Sequence, residues 1–189
     1  MAKLLAEHGP PVLKRRGGAD DGDHFSALAR SILYQQLAGK AAAAIHARFV
    51  IAVGGCVTAE AVLETPIETL RGAGLSGAKA GAITALADAC LSGSVPLAKL
   101  SRMKDDDIVT SLSSVRGIGP WTAQMFCMFR LGRLDVWPIT DYGVRKGFAK
   151  AYGLPDMPSP KELDVLGEPF RPYRSIAAWY SWRAVETTI

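Results

Sequence analysis

Apolar residues in this chain recur at spacings of three and four, and no stretch alternates apolar and polar residues with a period of two. The first spacing gathers apolar side chains on one face of an α-helix, whereas a half-buried strand requires the second. The pattern is clearest at Phe25, Leu28, Ala29, Ile32, Leu33 and Leu37, and it returns at Ile45, Phe49 and Val53. It predicts an all-α protein whose first two main helices are joined at Ala38 and Gly39.

Prolines, glycines and hydroxyl residues mark the ends of further helices. Two segments, Thr65-Pro66-Ile67-Glu68 and Ser159-Pro160-Lys161-Glu162, each combine an N-cap hydroxyl, a proline at the first helical position and a glutamate that can complete a capping box. Both segments predict helix starts. Other helices are expected at residues 76–91, 105–113, 121–131, 142–152 and 173–185, each bounded by glycine, proline or polar residues.

The composition is that of an ordinary globular protein. The chain has 189 residues, of which 49% are hydrophobic and 21% charged, which excludes a disordered or coiled-coil chain. Residues 15–23 (R-R-G-G-A-D-D-G-D) predict a flexible segment, so we expect a partly flexible N-terminal segment at 1–22 and one domain at 23–189. The apolar stretch 41–57 is interrupted by His46 and Arg48 and no leader is evident, so we expect a cytoplasmic protein without a membrane span.

Cysteine and histidine patterns argue against a metal site. Cys56, Cys90 and Cys127 are widely spaced and odd in number, so a disulfide framework, a zinc site and an iron–sulfur cluster all lack support. We expect small buried thiols. The three histidines are too scattered to bind a divalent metal, and the net charge of +4 points only weakly to nucleic acid.

Residues 112–123, L-S-S-V-R-G-I-G-P-W-T-A, are the most informative segment. Gly117 and Gly119 separate two predicted helices, and Pro120 opens the second, so the segment predicts a short helical hairpin. The backbone N–H groups that begin the second helix form an anion site suited to a DNA phosphate. On G-x-G alone, an ordinary glycine-containing helix turn is the commoner explanation.

Four other segments accompany the hairpin sequence V-R-G-I-G-P-W-T-A in a characteristic order. They are I-L-Y-Q-Q-L-A-G-K-A-A-A-A-I (32–45), L-R-G-A-G-L-S-G-A-K-A (70–80), W-P-I-T-D-Y-G-V-R-K (137–146) and R-P-Y-R-S-I-A-A-W-Y-S-W (171–182). Through them the chain, from about 25 to 185, resembles the helix-hairpin-helix DNA glycosylases, specifically the 3-methyladenine DNA glycosylase II (alkylpurine DNA glycosylase) family. The resemblance implies a two-lobed helical bundle and an enzyme of base excision repair that flips alkylated purines out of DNA and hydrolyses their N-glycosidic bonds.

The chain departs from this family in two respects. We expect the chain to lack the antiparallel β-domain that some bacterial members carry before this region, and we expect the helix that often opens the catalytic region to be truncated at Met1. We therefore expect the compact form of the family.

Asp141 is the candidate catalytic residue. It precedes the helix predicted at Tyr142, whose positive N-terminus would keep the carboxylate charged. Such an anion can stabilise an oxocarbenium-like sugar and position or deprotonate the attacking water. The resemblance implies this role for Asp141, and a simple N-cap role is equally common and compatible with it.

Aromatic residues are the candidates for base recognition. Trp121 stands where glycosylases with lyase activity carry a Schiff-base lysine, so the resemblance implies simple hydrolysis. It also implies that Trp121, Trp182 and Tyr34 line the flipped-base pocket, where indole faces would hold a cationic alkylated base. A core tryptophan of the last helix accounts for Trp182 equally well.

The resemblance further implies DNA contacts by the end of the first main helix. Gln35, Gln36 and Leu37 lie where family members fill the gap left by the extruded nucleotide, and Gln36 is the candidate wedge. A helix end with polar packing explains the two glutamines equally well. Other expected contacts are Lys40, Gly74, Lys79, Arg116, Gly117, Ile118, Gly119 and Thr122.

A monovalent cation, Na⁺ or K⁺, is implied at the backbone carbonyls of Ser113, Val115 and Ile118, and no other cofactor is expected. The expected partner is double-stranded DNA with alkylated bases, bound by a monomer that is cytoplasmic, or associated with the nucleoid in a bacterium. Two alternatives stay open: a glycosylase for oxidised or mismatched bases, with or without lyase activity, and a non-catalytic hairpin DNA-binding protein.

Overall fold

The computed structural model describes residues 2–11, 13 and 23–186, and within these ranges it contains helices but no strand. The α-helices are α1 (Ala2–His8), α2 (His24–Tyr34), α3 (Gly39–Ala52), α4 (Ala59–Glu64), α5 (Ile67–Gly72), α6 (Gly77–Leu91), α7 (Asp105–Ser113), α8 (Pro120–Phe129), α9 (Tyr142–Tyr152), α10 (Pro160–Gly167) and α11 (Arg174–Glu186). Short 3-10 helices lie at Leu97–Arg102 and Glu168–Phe170. The all-α prediction is confirmed, while residues 15–22 of the segment predicted to be flexible lie outside the described residues.

The helices divide into two compact units, and the division falls after Phe126, within α8. The central unit contains α2 to α7 and the beginning of α8. The terminal unit contains α1, the end of α8 and α9 to α11. No helix in the described part of the chain is both long enough and apolar enough to cross a membrane.

Helix α2 supplies much of the core of the central unit. Asp23 begins it as the N-cap, since its Oδ1 accepts a hydrogen bond from the Ser26 backbone N–H at 2.8 Å. Five residues of the predicted apolar stripe are buried: Phe25, Leu28, Ala29, Ile32 and Leu33. Leu37 is 38% exposed, contrary to the stripe prediction, because α2 already ends at Tyr34.

One predicted capping box is wrong and the other is confirmed. Thr65 ends α4, and its hydroxyl donates to the Ala61 carbonyl at 2.7 Å instead of capping α5. The physical reason is that the short helix α4 ends at Glu64 with Thr65 as its C-cap. Pro66 is therefore the N-cap of α5. At α10, Ser159 and Glu162 form the reciprocal backbone hydrogen bonds of a capping box.

The terminal unit is organised by close packing of α9 on α11. Gly147 permits this approach, because a Cβ at that position would overlap the Ser181 carbonyl oxygen. Helix α1 adds Leu4, which packs on Tyr180 and Ala184 of α11. The sequence did not predict α1, since a single buried leucine in seven residues gives no helical periodicity.

The segment that leads into α9 is fastened to the start of α11. Ser175 Oγ donates to the Arg133 carbonyl at 2.8 Å and accepts from the Val136 N–H at 2.9 Å. The Asp135 carboxylate accepts from Arg174 Nε at 2.8 Å. Burial acts to raise the pKa of Asp135, but hydrogen bonds and charge from Arg174, with the charge of Arg171, outweigh it and lower the pKa.

The cysteines differ in exposure. Cys127 is buried as predicted, but Cys56 is exposed, because it follows a turn in which Gly54 and Gly55 have positive φ angles. Cys90 is half-buried, and burial together with the charge of Asp23 raises the pKa of its thiol to about 11. No disulfide joins these cysteines in the described residues.

Candidate functional site

Asp141 lies at the N-cap of α9 in the terminal unit. Its Oδ1 accepts two hydrogen bonds, from the Val144 backbone N–H at 2.7 Å and from the Trp182 indole Nε1–H at 2.9 Å. The N-cap role that the sequence suggested is confirmed. Because two donors meet at one oxygen, the carboxylate orientation is fixed next to the positive end of a helix.

Trp182 is half-buried on α11, with its ring centroid 5.9 Å from that of Phe129 and the two planes at 31°. A Cβ on Gly143 would lie 2.8 Å from Trp182 Cδ1 and 3.1 Å from Asp141 Oδ1. Gly143 therefore provides the space in which the indole closes on the carboxylate. Sequence analysis missed Gly143, although a glycine in the first turn of a helix was a visible signal.

The hairpin at 112–123 is present as predicted, with α7 ending at Ser113 and Pro120 opening α8. Gly117 has φ +91°, and its Cβ would overlap Cβ of Ala82, so the fold itself requires this glycine. Gly119 is exposed, and a Cβ there would meet no atom within 4 Å. An approaching ligand can thus come close to the backbone at Gly119.

The remaining hairpin side chains point in different directions. Ile118 and Thr122 are buried, with 3% and 6% exposure, whereas Arg116 is exposed. Because both residues are almost fully buried, the DNA contacts expected at Ile118 and Thr122 stay predictions. Lys40, in the first turn of α3, is also exposed.

Several predicted residues of the central unit line one cleft of about 560 Å³. Its walls are formed by Ser31, Tyr34, Gln35, Gln36, Trp121, Thr122 and Met125. Trp121 is 46% exposed, and Tyr34 lies beneath the Arg30 guanidinium, whose carbon is 5.0 Å from the ring centroid. The structure therefore brings Trp121 and Tyr34 together in this cleft, whereas Trp182 belongs to the terminal unit.

The turn after α2 carries both glutamines. Gln36 is exposed and has φ +56°, the only positive φ at a non-glycine among the described residues. Gln35 Nε2 donates to the Gly117 carbonyl and to Thr122 Oγ1, both at 3.2 Å. Gln35 thus ties the end of α2 to the hairpin, a long-range contact that the sequence did not indicate.

Lys79 has contacts that sequence analysis also missed. Its Nζ donates to the Leu33 carbonyl at 2.6 Å and to the Gln35 carbonyl at 2.7 Å, and burial lowers the pKa of the ammonium. Gly74 likewise has an internal role, because its φ is +101° and its Cβ would lie 2.8 Å from Arg48 Nη2. The phosphate contacts expected at Lys79 and Gly74 stay predictions.

The residues expected to bind a monovalent cation are Ser113, which ends α7, and Val115 and Ile118, which lie in the turn between α7 and α8. The Val115 carbonyl accepts from the Ile118 N–H at 3.0 Å. In the part of the chain that the structure describes, Ser113 Oγ is buried without a hydrogen-bond partner. An unsatisfied buried oxygen fits a hard cation that takes oxygen ligands.

The chain is similar in sequence to known DNA-repair proteins. Residues 29–172 match the model of the HhH-GPD superfamily base excision DNA repair protein. The chain is 33% identical to DNA-3-methyladenine glycosylase 1 of Schizosaccharomyces pombe over 186 residues, which cover 97% of this chain and 79% of that protein. It is 35% identical to the alkylbase DNA glycosidase-like protein mag2 of the same yeast over 127 residues, 67% of this chain and only 60% of the relative.

Two solved structures are similar over almost the whole chain. The S. pombe 3-methyladenine DNA glycosylase Mag1 in complex with abasic DNA has a TM-score of 0.79 and 30% identity, and the match covers 99% of this chain and 91% of that one. The DNA-3-methyladenine glycosidase of Bacillus halodurans has a TM-score of 0.83 and 31% identity, with coverages of 97% and 88%.

Proposed function

Because the chain belongs to the HhH-GPD superfamily of base excision DNA repair proteins, we propose that it is a monofunctional DNA glycosylase that hydrolyses the N-glycosidic bond of alkylated purines, of the 3-methyladenine and 7-methylguanine type. The observation that carries the proposal is the carboxylate of Asp141, held by the N–H groups of Val144 and Trp182. Two similar proteins are named for 3-methyladenine, which supports the substrate class.

Asp141 supplies the electrostatic part of the reaction. Departure of the base leaves positive charge on the sugar, and a fixed carboxylate stabilises this charge and positions or deprotonates the attacking water. Its two hydrogen-bond donors set the orientation before DNA binds, so little reorganisation is needed in the transition state. The resemblance places Trp121 where glycosylases with lyase activity carry a Schiff-base lysine, which supports water as the nucleophile.

Base recognition falls to aromatic rings. A purine alkylated at N3 or N7 is cationic, and the faces of Trp121 and Trp182 attract it by stacking and cation–π interaction. Trp121 and Tyr34 present their rings to the cleft of the central unit, and Trp182 lies at the carboxylate of Asp141. The positive charge of the alkylated purine also makes it a good leaving group, so no dedicated general acid is required.

The hairpin binds the DNA backbone. The first turn of α8 presents backbone N–H groups at the positive end of the helix dipole, and the open space at Gly119 lets a phosphate approach this turn. Arg116 and Lys40 offer exposed charges to the phosphates. Ile118 and Thr122 are buried, and they support the hairpin from within, since the Ile118 N–H donates to the Val115 carbonyl and Thr122 Oγ1 accepts from Gln35. Gln36 is the wedge that replaces the flipped nucleotide. The abasic DNA bound to Mag1 supports DNA as the partner.

A monovalent cation, Na⁺ or K⁺, completes the proposal. The carbonyls of Ser113, Val115 and Ile118 would hold it, and the buried, unsatisfied Ser113 Oγ supports an oxygen-rich site. When bound, the cation would contribute positive charge at the turn that faces the phosphate. A monomer in the cytoplasm, or at the nucleoid of a bacterium, remains the expected state.

Base release from methylated duplex DNA tests the proposed function. The purified protein should liberate free methylated purines and leave an intact abasic strand, and borohydride should trap no covalent protein–DNA adduct. Heat-denatured protein is the control for spontaneous depurination. A trapped adduct would contradict the monofunctional mechanism, and the absence of released bases would contradict the glycosylase assignment.

A further inference from the structure

The turn after α2, formed by Gln35, Gln36 and Leu37 and called here the Gln36 turn, has an unfavourable backbone. Gln36 adopts φ +56°, a left-handed conformation that residues other than glycine, asparagine and aspartate seldom occupy. Its side chain is exposed, so no packing of its own explains this conformation. Such a conformation persists where the surrounding structure imposes it.

Lys79 stabilises the left-handed conformation of Gln36 from one side. Its ammonium donates to the carbonyls of Leu33 and Gln35, at 2.6 and 2.7 Å. These carbonyls lie at the C-terminal end of α2, where carbonyl groups have no N–H donor within the helix. A cation at a helix C-terminus is also favoured by the helix dipole. The lysine itself is anchored, because its backbone N–H donates to the N-cap Oγ of Ser76 at 3.3 Å.

Gln35 stabilises the left-handed conformation of Gln36 from the other side. Its side-chain amide donates to the Gly117 carbonyl and to Thr122 Oγ1, both at 3.2 Å, on the hairpin. Its backbone carbonyl is the same group that Lys79 holds. The residue directly before Gln36 is therefore fixed at both its backbone and its side chain, which leaves Gln36 little freedom to leave the left-handed conformation.

We propose that Lys79 is a positioning residue for base extrusion, which holds the Gln36 turn in the conformation that presents the Gln36 side chain to the DNA duplex. The inference rests on the proposed function, in which Gln36 fills the gap left by the flipped nucleotide. Lys79 acts on the extrusion step and not on bond cleavage, because its ammonium is directed to carbonyls of the protein. This role differs from the phosphate contact that sequence analysis suggested.

A pair of substrates separates extrusion from cleavage. Both are synthetic duplexes with one 7-methylguanine, which is either paired with cytosine or placed in a one-base bulge, where extrusion is easier because no pair is broken. Lys79→Met removes the donors and keeps a stem of similar length, while Lys79→Arg keeps a donor. Lys99→Met, at an exposed lysine of the same unit, is the matched control.

Single-turnover excision should show a selective defect. We expect Lys79→Met to slow excision from the paired duplex by at least about tenfold and from the bulge by less than about twofold, since the bulge needs little help with extrusion. Lys79→Arg should recover most of the paired rate, and Lys99→Met should match wild type. Gln36→Ala should show the same selectivity, and adding Lys79→Met to it should change little, as for two residues that act in one step.

Three results of the excision and binding measurements would overturn the proposal. Equal losses on both substrates would place Lys79 in cleavage or folding, and an unchanged paired rate would deny it a role. If Lys79 instead contacted a phosphate, Lys79→Met would weaken binding to undamaged duplex and reduce the slope of log Kd against log salt by about one. Its effect would then add to that of Gln36→Ala.

Backbone amide exchange tests the same proposal without activity. Exchange in the peptide containing the Gln36 turn should be faster in Lys79→Met than in Lys99→Met, and equal exchange would overturn the positioning role. If Lys79→Met does not fold, Gln35→Leu is the alternative variant, because it removes the side-chain hydrogen bonds of Gln35 to the hairpin. It should likewise slow excision from the paired duplex more than excision from the bulge. Wild-type protein that releases no base from either duplex would contradict the proposed function, while the exchange measurement would still decide the role of Lys79.

Discussion

Gly143 determines whether Trp182 can donate to Asp141. A methyl group at this position would lie 2.8 Å from Trp182 Cδ1 and 3.1 Å from Asp141 Oδ1, closer than atoms normally pack. Gly143 is also the second residue of α9, and alanine is intrinsically favoured over glycine in helices by up to about 1 kcal/mol. Helix propensity and the geometry of the candidate site therefore make opposite demands at one residue.

Gly143→Ala should consequently reduce excision without a matching loss of stability. Displacing the indole breaks a hydrogen bond to a charged group, worth about 1.5 to 3 kcal/mol, so we expect single-turnover excision to fall roughly tenfold to a hundredfold. Thermal unfolding should stay near that of wild type. Gly81→Ala in α6, where a Cβ meets nothing within 4 Å, is the matched control and should keep full activity. A fully active Gly143→Ala would show that the indole contact is dispensable.

Single-residue roles could be predicted from sequence only where they are local. The N-cap role of Asp141 follows from its place before a helix, and the structure confirms it. Its contact with Trp182 spans 41 residues and depends on the packing of α9 on α11, which no local pattern encodes. Lys79 shows the same limit, since its contact with Leu33 spans 46 residues.

At the scale of elements, the two hairpin glycines have separate reasons to be glycine. Gly117 has φ +91° and abuts Cβ of Ala82 within the central unit, whereas Gly119 has open space around it. The first is therefore required by the fold, and the second is available to a ligand. The sequence G-I-G gave no means of telling them apart.

Substitution should separate these roles. Gly117→Ala combines a left-handed backbone with a steric overlap, so we expect a loss of at least about 2 kcal/mol in the free energy of unfolding. Gly119→Leu should fold normally and weaken binding to damaged and undamaged duplexes alike, by about tenfold or more, because it blocks the approach of a phosphate. Urea unfolding and fluorescence anisotropy measure the two effects. Normal binding by Gly119→Leu, or a loss confined to damaged DNA, would refute the phosphate role.

Helix boundaries were predictable where a cap or terminator is unambiguous. Helix α9 runs from Tyr142 to Tyr152 as predicted, because Asp141 caps it and Gly153 ends it in the left-handed conformation. Helices α1 and α4 have only seven and six residues, too few for a periodic pattern. Missing α4 led directly to the wrong role for Thr65, since a hydroxyl beside a proline fits a helix start as well as a helix end.

At the scale of the whole molecule, the functional residues are distributed over both units. The carboxylate of Asp141 and the indole of Trp182 belong to the terminal unit, while the hairpin glycines, the Gln36 turn and the cleft at Trp121 belong to the central unit. A net charge of only +4 cannot by itself direct this protein to DNA. In the proposed function, binding therefore depends on local features such as the N–H groups of the hairpin.

The central claim is that the charge of Asp141 drives hydrolysis, and Asp141→Asn tests it directly. Asparagine is as good an N-cap as aspartate and retains an oxygen for the N–H groups of Val144 and Trp182, so folding and duplex binding should stay near wild type. Single-turnover release of alkylated purines should fall at least about a hundredfold, the scale of losing a preorganised electrostatic interaction. Release at the wild-type rate, or a loss of activity that accompanies unfolding, would contradict the account and leave Asp141 as a structural cap.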